Sequence, residues 1–290
     1  MNGCVKQSGN WKDALTKFGV EASWRLAQWT SLDNFLDSAS EDCQKKFEVQ
    51  IGHCLKSYHE SAYDLLLGTV SESRCQLLGS LAAASMDSYR RTYDVALRLH
   101  ALEDVQFLSE LRQSLKEIIV PEIATRMIHD GNQRLRQRMD VLPPDLKVRD
   151  VVASVQRTMF ADLLDCEHPL HGNPEIQVTL KQICGKYWLD ISKMARMAHF
   201  QTSAHHAILK AEEYAPSGLI IAKAKYLRLN GDITKAVDEL DGALKSGPAL
   251  EDSVKAKAMV CLGKWHMEAD TSDSKTIENL FKSAVNILPK

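Results

Sequence analysis

The sequence lacks the long apolar run that a membrane span or a secretory signal requires. No uninterrupted apolar stretch approaches the roughly 20 residues that cross a bilayer, and the opening residues 1–7 (MNGCVKQ) contain no apolar core of a signal peptide. We therefore predict a soluble, intracellular protein that is not secreted and has no membrane partner.

Neither sign of charge is in excess. Lys and Arg total 36 and Asp and Glu total 38, which gives a formal net charge of −2. Because nucleic-acid-binding proteins attract phosphate through excess positive charge, we expect no direct nucleic-acid partner. The hydrophobic share of 44% and the charged share of 26% lie in the range of folded globular chains.

The sequence also lacks closely spaced pairs of cysteines. The seven cysteines include no C-x-x-C spacing, and an odd number cannot all be bridged within one chain. Reduced thiols in a cytosolic or nuclear protein are the simplest interpretation. Cys166, His168 and His171 lie within six residues, but zinc needs four oriented ligands and no second pair follows. We interpret this segment as a polar surface loop and predict no metal site.

Catalytic motifs are missing as well. The sequence contains no Gly-rich phosphate loop, no G-x-S-x-G or H-E-x-x-H motif, and no D-F-G of a kinase. His199, His205 and His206 lie close together, but adjacent helical residues point about 100° apart and cannot serve one reaction centre. We predict no catalytic, cofactor-binding, metal-binding or nucleic-acid-binding residue and no enzymatic activity in this chain; the partner-binding residues are left open.

What the sequence does contain is apolar periodicity of 3.6 residues from one end to the other, with almost no strand signal. Near the N-terminus, residues 11–28 carry one apolar stripe and residues 29–36 carry a second, which predicts an αα-hairpin. The first stripe is Leu15, Phe18, Ala22 and Leu26 with the adjoining Trp24, and the second is Trp29, Leu32, Phe35 and Leu36.

The C-terminal half predicts three helical hairpins. Asn230-Gly231 is a favoured helix stop, and Asp232 is placed to cap the next helix. Pro216 and Gly218, Gly247 and Pro248, and Pro289 mark further ends, and Asp273 or Ser274 is the expected cap of the last helix. The predicted helices are 176–198, 202–214, 219–229, 232–244, 251–269 and 274–288. The hairpins recur at intervals of roughly 35 to 40 residues, the scale of tetratricopeptide and HEAT-like repeats.

The middle of the chain is less regular. The clearest break is Pro143-Pro144, since proline lacks a backbone donor and disfavours helix in the residue before it. The predicted helices here are 45–58, 60–67, 72–85, 87–102, 105–119, 122–139 and 146–164. Together these patterns predict an all-α fold, a right-handed superhelical stack of tetratricopeptide/HEAT-like hairpins (an α-solenoid). It would form one continuous array over residues 1–290, with sub-units 1–142 and 146–290 separated by Pro143-Pro144.

Two groups of basic residues and the five tryptophans fit the same interpretation. The basic groups are predicted to lie on solvated helix faces that include acidic residues, and the tryptophans to pack between helices. The basic groups are Arg126, Arg134, Arg136 and Arg138, and Lys223, Lys225 and Arg228. The tryptophans are Trp11, Trp24, Trp29, Trp188 and Trp265.

Three segments resemble a known family. Residues 20–29 (VEASWRLAQW), with the flanking 11–15 and 32–36, resemble a V-E-A-A-W-(K/R)-L-x-Q-W segment in the FAT region of ATR-like phosphatidylinositol-3-kinase-related protein kinases. Residues 194–204 (MARMAHFQTSA) are similar to its A-R-x-A-x-x-x-Q-T-A turn, and residues 226–236 (YLRLNGDITKA) to its W-x-x-G-D-x-x-x-A turn. The segments lie in the expected order and together span nearly the whole chain.

The resemblance implies part of a FAT region, a stack of helical hairpins around a serine/threonine kinase domain that is absent here. Its implied role is a non-catalytic scaffold that supports the kinase domain and complex assembly in DNA-damage and replication-stress checkpoint signalling in the nucleus. The implied partners are the kinase domain of the same polypeptide and an ATR-interacting-protein-like regulatory subunit. Three alternatives remain open: a free-standing tetratricopeptide-like adaptor, a FAT segment of a sister kinase of the mTOR, ATM or SMG type, and an enzyme with an unrecognised site.

Overall fold

The computed structural model describes residues 2–82, 89–118, 120–166, 173–246, 250–269 and 273–287. These residues form fourteen α-helices and no strand, which confirms the all-α prediction. The helices are α1 Asn2–Arg25, α2 Trp29–Asp37, α3 Glu41–Gln44, α4 Phe47–His59, α5 Tyr63–Ala82, α6 Tyr89–Glu117, α7 Pro121–Asp140, α8 Leu146–Asp165, α9 Pro174–Met197, α10 Gln201–Glu212, α11 Leu219–Leu229, α12 Ile233–Ser246, α13 Asp252–Ala269 and α14 Ser274–Ile287.

The chain forms two compact units, Met1–Leu180 and Lys181–Lys290. In the first, α1 packs on α2, α4 on α5, and α6 on both α5 and α8. In the second, α11 packs on α12 and α13 on α14. Helices that are neighbours in sequence therefore pack as pairs, as a helical solenoid predicts. Among the described helices, none combines the length and apolar character needed to cross a membrane.

Four hairpins share one turn geometry. The first helix ends at a residue in the left-handed conformation, with φ between 53° and 91°. The N–H of the next residue bonds the carbonyl five positions back at 2.9–3.1 Å, the arrangement of a Schellman motif. The carbonyl of this second turn residue then accepts a hydrogen bond from the N–H of a buried residue four positions further along the chain. The turns are Ala27–Gln28, Ser61–Ala62, His199–Phe200 and Gly231–Asp232.

The spacing of these turns gives the repeat length in both units, and in the first unit the sequence pattern had not predicted a repeat. Ala27 and Ser61 are 34 residues apart in the first unit, and His199 and Gly231 are 32 apart in the second. Both values are near the tetratricopeptide period of about 34. The predicted left-handed Gly231 is confirmed at φ 91°. Asp232 lies directly before α12, where a cap was predicted, and its carboxylate accepts from Lys235 at 3.4 Å.

The predicted stripe of α1 is wrong at four of its five residues, and only Trp24 is buried as predicted. Leu15 and Phe18 are each 63% exposed, and Ala22 and Leu26 are exposed too. The side that packs inward carries Trp24 together with Thr16, Val20 and Ser23, which the predicted stripe did not include. Close approach explains the choice of side, because a Cβ on Gly52 of α4 would meet Val20 Cγ1 at 2.6 Å. Only a glycine permits α4 to cross α1 so closely at this point.

Two predicted breaks in the middle of the chain are also wrong. α5 continues through the predicted break between residues 67 and 72, and α6 continues through the predicted break between residues 102 and 105. Gly68 is tolerated inside α5, where open space surrounds it. Asp104 interrupts the apolar pattern of α6 because it is itself buried and paired. The short α3 was not predicted; Ser40 caps it by accepting from the Cys43 N–H at 3.3 Å.

The break at Pro143-Pro144 separates α7 from α8, as predicted. Asp145 caps α8 by accepting from the Lys147 N–H at 3.1 Å, and Arg149 Nε donates to the Pro143 carbonyl at 2.9 Å. Both helices belong to the first compact unit. The division into sub-units 1–142 and 146–290 stays a prediction.

The second unit has its own apolar core. α11 to α14 contribute small and large residues that interlock, including Ala224 and Ala236, which are fully buried, and Trp265. The small side chains let the helices approach closely while Leu240 fills the space between them. The last helix begins at Ser274, and the Asp273 carbonyl accepts from the Thr276 and Ile277 N–H groups at 2.9 and 3.2 Å, as expected for the predicted cap position. Gly247, Pro248 and Pro289 lie outside the described residues.

Candidate functional site

The distinctive site of the first unit is α8, a helix that is buried on every side. Thirteen consecutive residues, 152–164, are buried. A helix buried all round is normally apolar, yet five of these residues carry polar side chains. They are Ser154, Gln156, Arg157, Thr158 and Asp162. Buried polar groups are costly unless they are bonded, and these residues bond three other helices.

The largest cluster surrounds Asp162. Its Oδ2 accepts from Arg112 Nη1 of α6 at 2.7 Å, and its Oδ1 lies 2.5 Å from His59 Nδ1 of α4. The same Arg112 nitrogen also donates to the Tyr58 carbonyl at 2.7 Å, and the guanidinium lies 4.5 Å from the Tyr58 ring centroid. One carboxylate therefore joins α8 to α4 and α6 through charge-assisted bonds, which are stronger than neutral ones.

Aromatic groups enclose this cluster. Trp29 of α2 stacks on the His59 ring with centroids 4.3 Å apart, so this tryptophan contacts the neighbouring hairpin. Tyr58 Oη donates to the Met159 carbonyl of α8 at 3.3 Å. Burial raises the pKa of Tyr58 well above its ordinary value, and burial also raises the pKa of the Cys166 thiol. Both groups are therefore held in their neutral, protonated forms at neutral pH.

A second cluster surrounds Asp104 of α6, which is fully buried. It accepts from Gln156 Nε2 of α8 at 2.6 Å and from Arg138 Nε of α7 at 2.8 Å. Burial raises the pKa of Asp104, while His100, Gln156 and Arg138 act in the opposite direction. Burial has the opposite effect on His100, one helical turn earlier, and lowers the pKa of its imidazole. This cluster ties α7 and α8 to α6.

A third set of bonds holds the C-terminal end of α1. Arg157 donates to the Arg25 carbonyl at 2.6 Å, and Thr158 donates to the Trp24 carbonyl at 3.3 Å. The last carbonyls of a helix have no partner within the helix. α8 supplies a donor to the Trp24 and Arg25 carbonyls, and the Trp24 carbonyl also accepts from the Ala27 N–H at 3.2 Å. Arg25 in turn donates to Asp150 at 2.6 Å and to Ser154 at 3.1 Å. Together the three sets make α8 the hub of the first unit.

The residues that the sequence singled out lie elsewhere. His205 stacks on Tyr226 with centroids 5.1 Å apart, and His206 meets the Trp188 ring edge-on at 6.1 Å. The two histidines therefore have separate aromatic partners. The Cys166 thiol donates to the Leu163 carbonyl at 3.2 Å, whereas His168 and His171 lie outside the described residues. Within the described part of the chain, no group of His, Cys, Asp and Glu could hold a metal ion.

The predicted basic faces are partly engaged in packing. Arg134 lies over the Phe107 ring at 4.6 Å, and Arg138 forms the Asp104 pair. In the second unit, Lys223 pairs with Glu212 at 2.7 Å, and Arg228 pairs with Glu268. These acidic partners fit the interpretation of charged helix faces with both signs.

Among the tryptophans, Trp24, Trp188 and Trp265 are buried as predicted. Trp11 is 70% exposed, so its predicted core position is wrong. The α8 network itself was missed because its partners are distant in sequence; Asp162 meets a residue 103 positions away and Thr158 meets one 134 positions away. The available signal was Arg157 and Asp162 within a strongly apolar predicted helix, which required buried partners.

Comparison with known proteins gives the family. A family model described as the FAT domain matches residues 16–290. Serine/threonine-protein kinase ATR of Drosophila melanogaster is 26% identical over 228 residues, which are 77% of this chain and 9% of that protein. The protein of the same name from Arabidopsis thaliana is 23% identical over 335 residues, 100% of this chain and 12% of that protein. The one from Oryza sativa subsp. indica is 26% identical over 243 residues, 80% of this chain and 8% of that protein.

The chain thus spans between 8% and 12% of the length of these curated relatives. The family match covers all the helices from within α1 to α14, including α8 and its three bonded clusters. The chain belongs to the FAT domain family.

Proposed function

We propose that this chain is a non-catalytic helical-repeat scaffold segment of an ATR-like serine/threonine protein kinase. Family membership over residues 16–290 and the relatives named serine/threonine-protein kinase ATR support the proposal. Its role is to support the kinase domain and complex assembly in DNA-damage and replication-stress checkpoint signalling in the nucleus. Its partners are the kinase domain of the same polypeptide and an ATR-interacting-protein-like regulatory subunit.

The observation that carries the scaffold role is the buried polar hub on α8. A helix that bonds α1, α4 and α6 through buried charged groups favours one arrangement of those helices. Close-packed interiors transmit strain and do not deform smoothly. A unit with this interior is suited to holding a docked domain in a fixed position.

The test uses a full-length ATR-like kinase that carries the equivalent of Asp162→Asn. We expect lower complex yield or lower substrate phosphorylation, although every residue of the kinase domain is unchanged. Asp64→Asn is the matched control, since Asp64 is exposed on α5 and makes none of the hub's bonds. Wild-type assembly and phosphorylation in the Asp162→Asn kinase, at a level equal to the control, would refute the scaffold role.

Gly231→Val provides an independent probe in the second unit. Its left-handed φ of 91° disfavours any β-branched side chain, so the change disturbs one hairpin turn without touching α8. We expect the same loss of complex yield or kinase activity. Normal assembly of this variant would restrict the scaffold role to the first unit.

A further inference from the structure

A small polar cavity lies in the first unit between α4, α5 and α6, with a volume of about 100 Å³. This volume is the share of about three molecules in liquid water, so the cavity has room for one small polyatomic ion or for the end group of a larger molecule. Of the described residues that line it, only Leu66 lacks a polar side-chain atom. A cavity of this composition suits a polar occupant.

One buried hydroxyl in the cavity wall has no hydrogen bond. Ser57 lines the cavity near the end of α4 and is 4% exposed, yet its side chain bonds none of the described residues. Ser109, which lines the cavity from α6, differs because its Oγ donates to the Val105 carbonyl at 2.7 Å. Buried hydroxyls are unfavourable without a partner. An occupant that accepts a hydrogen bond would give Ser57 its partner.

The charged side chains in the cavity wall are both cationic. Arg112 and Lys116 lie about one turn apart on α6, and among the described residues no Asp or Glu lines the cavity. A guanidinium has five N–H donors, and the hydrogen bonds of Arg112 to the Tyr58 carbonyl and to Asp162 both come from Nη1. Lys116 is exposed and has no ion-pair partner in the described part of the chain. The wall therefore offers cationic donors that these bonds do not use.

The carboxylates that act on the lining residues lie outside the cavity wall. Asp162 is already bonded, since His59 Nδ1 lies 2.5 Å from its Oδ1 and the guanidinium binds its Oδ2. Burial raises the pKa of the Tyr63 phenol, and Glu110 and Asp64 add to that effect. Both of these carboxylates are exposed, and water and salt screen an exposed charge far more than one at a buried wall. The cations in the wall consequently favour an anion.

The backbone of α5 adds to this preference. Ser61 and Tyr63, which line the cavity, lie at the N-terminus of α5, a helix of 20 residues. The first N–H groups of a helix have no acceptor within the helix, and the helix dipole makes this end positive. Phosphate groups bind readily at such an end, especially beside a Lys or Arg side chain.

We propose that this cavity binds a phosphate group, either as the free ion or as the end of a phosphate monoester. The phosphate oxygens accept hydrogen bonds from Ser57 Oγ, from the Arg112 guanidinium and from the Lys116 ammonium, and they face the N-terminus of α5. A phosphate group has several strong acceptor oxygens, which suits donors that approach from three helices. The site is separate from the proposed scaffold function and rests on contacts within the first unit alone.

Thermal denaturation of the 290-residue chain at constant ionic strength measures the binding of inorganic phosphate. A ligand that binds only the folded state raises the Tm once its concentration exceeds Kd. At about ten times Kd we expect the Tm to rise by about 2–4 °C. Phosphate also stabilises folded proteins by exclusion from their surface, so the comparison of variants decides the outcome.

Two variants locate the site. Lys116→Gln removes an exposed cation, and Ser57→Ala removes the buried hydroxyl. Each should raise the Kd for phosphate by about threefold to tenfold, the effect of one lost hydrogen bond. Lys45→Gln and Ser114→Ala are matched controls at exposed positions outside the cavity, and they should bind phosphate as wild type does.

Ser57→Ala also has a readout without phosphate. Because the hydroxyl has no partner to lose, the ligand-free variant should be no less stable than wild type. If it does not fold, Lys116→Gln decides the outcome, since that side chain is exposed. A rise in Tm that is the same in the cavity variants as in the controls would be an exclusion effect and would overturn the proposal, as would the absence of any rise.

Two further probes identify the group that is bound. Methyl phosphate that binds as tightly as inorganic phosphate would support a site for monoesters, whereas binding of inorganic phosphate alone would support a site for the free ion. Acetate carries one planar carboxylate and fewer acceptor oxygens, so it should bind at least about tenfold more weakly. Acetate that binds as tightly as phosphate would overturn the assignment to a phosphate group.

Discussion

The Arg112 guanidinium donates a 2.7 Å hydrogen bond to the Asp162 carboxylate, and both side chains are buried in the first unit. Replacing Asp162 with Asn leaves the buried charge of Arg112 without a counter-ion. We expect the free energy of unfolding to fall by about 3–5 kcal/mol, the usual effect of breaking a buried pair. Urea denaturation of the isolated chain measures it.

A double-mutant cycle separates this pair from general damage to the core. Arg112→Met combined with Asp162→Leu removes both charges, so the double variant should be less destabilised than the sum of the two single variants. A coupling free energy near zero would show that the two side chains act independently.

The left-handed turns predict opposite effects on stability for substitutions at two positions. Ser61 has φ 56° and Gly231 has φ 91°. A residue with a side chain loses roughly 1–2 kcal/mol of stability in this left-handed conformation, whereas glycine adopts it without that loss. Ser61→Gly should therefore stabilise the chain, and Gly231→Val should destabilise it. Gly231→Val should also cost more than Asp232→Ala, because even a full helix cap typically contributes only about 1 kcal/mol and the Asp232 carboxylate accepts from Lys235. Thermal denaturation orders the variants, and a Ser61→Gly variant less stable than wild type would contradict the argument.

Two tryptophans of α1 should respond differently to the same change. Trp24 is 2% exposed, so Trp24→Ala should cost about 3–5 kcal/mol. Trp11 is 70% exposed, so Trp11→Ala should change stability by no more than about 0.5 kcal/mol. Equal destabilisation in urea would mean that the packing side of α1 is assigned wrongly.

This contrast shows where sequence reasoning reached its limit. Periodicity predicted α1 as a helix but selected the face with Leu15 and Phe18, because those are its larger apolar residues. The face that packs contains Thr16 and Ser23, and it is fixed by close approach at Gly52, a residue of another helix. Helix ends were predictable where the cause is local, as at Pro143-Pro144 and Gly231. The packing side of a helix depends on distant residues, and one helix's pattern does not contain them.

The hub on α8 was less predictable for the same physical reason. Its helix was predicted almost to the residue, as 146–164 against Leu146–Asp165. The partners of Asp162 and Gln156 lie on α4 and α6, between 50 and 103 positions away. A buried polar side chain in a predicted helix indicates that a partner exists. It does not identify that partner.

Two helical glycines give a matched pair for the packing of the first unit. A Cβ on Gly52 would meet Val20 Cγ1 at 2.6 Å, whereas a Cβ on Gly68 would meet nothing within 4 Å. Gly52→Ala should therefore destabilise the chain by about 1–3 kcal/mol through overpacking. Gly68→Ala should stabilise it by up to about 1 kcal/mol, since alanine is the better helix former. Urea denaturation compares both with wild type, and stabilisation by Gly52→Ala would argue against the close crossing of α1 and α4.

The last prediction concerns pH. Burial lowers the pKa of His53 on α4 below its ordinary value of 6.5; the nearby Lys56 adds to this effect, and Asp37 opposes it. The folded state therefore favours the neutral imidazole, while the unfolded chain takes up a proton more readily. The contribution of His53 to stability is complete above pH 6.5 and is lost as the pH falls through the folded-state pKa.

His53→Gln should consequently lose less unfolding free energy than wild type between about pH 7.5 and about pH 5.5. His129→Gln is the control, at an exposed position on α7, and should follow the wild-type pH dependence. Urea denaturation at both pH values decides the matter, and equal losses in wild type and His53→Gln would show that His53 does not contribute to the acid sensitivity of the fold.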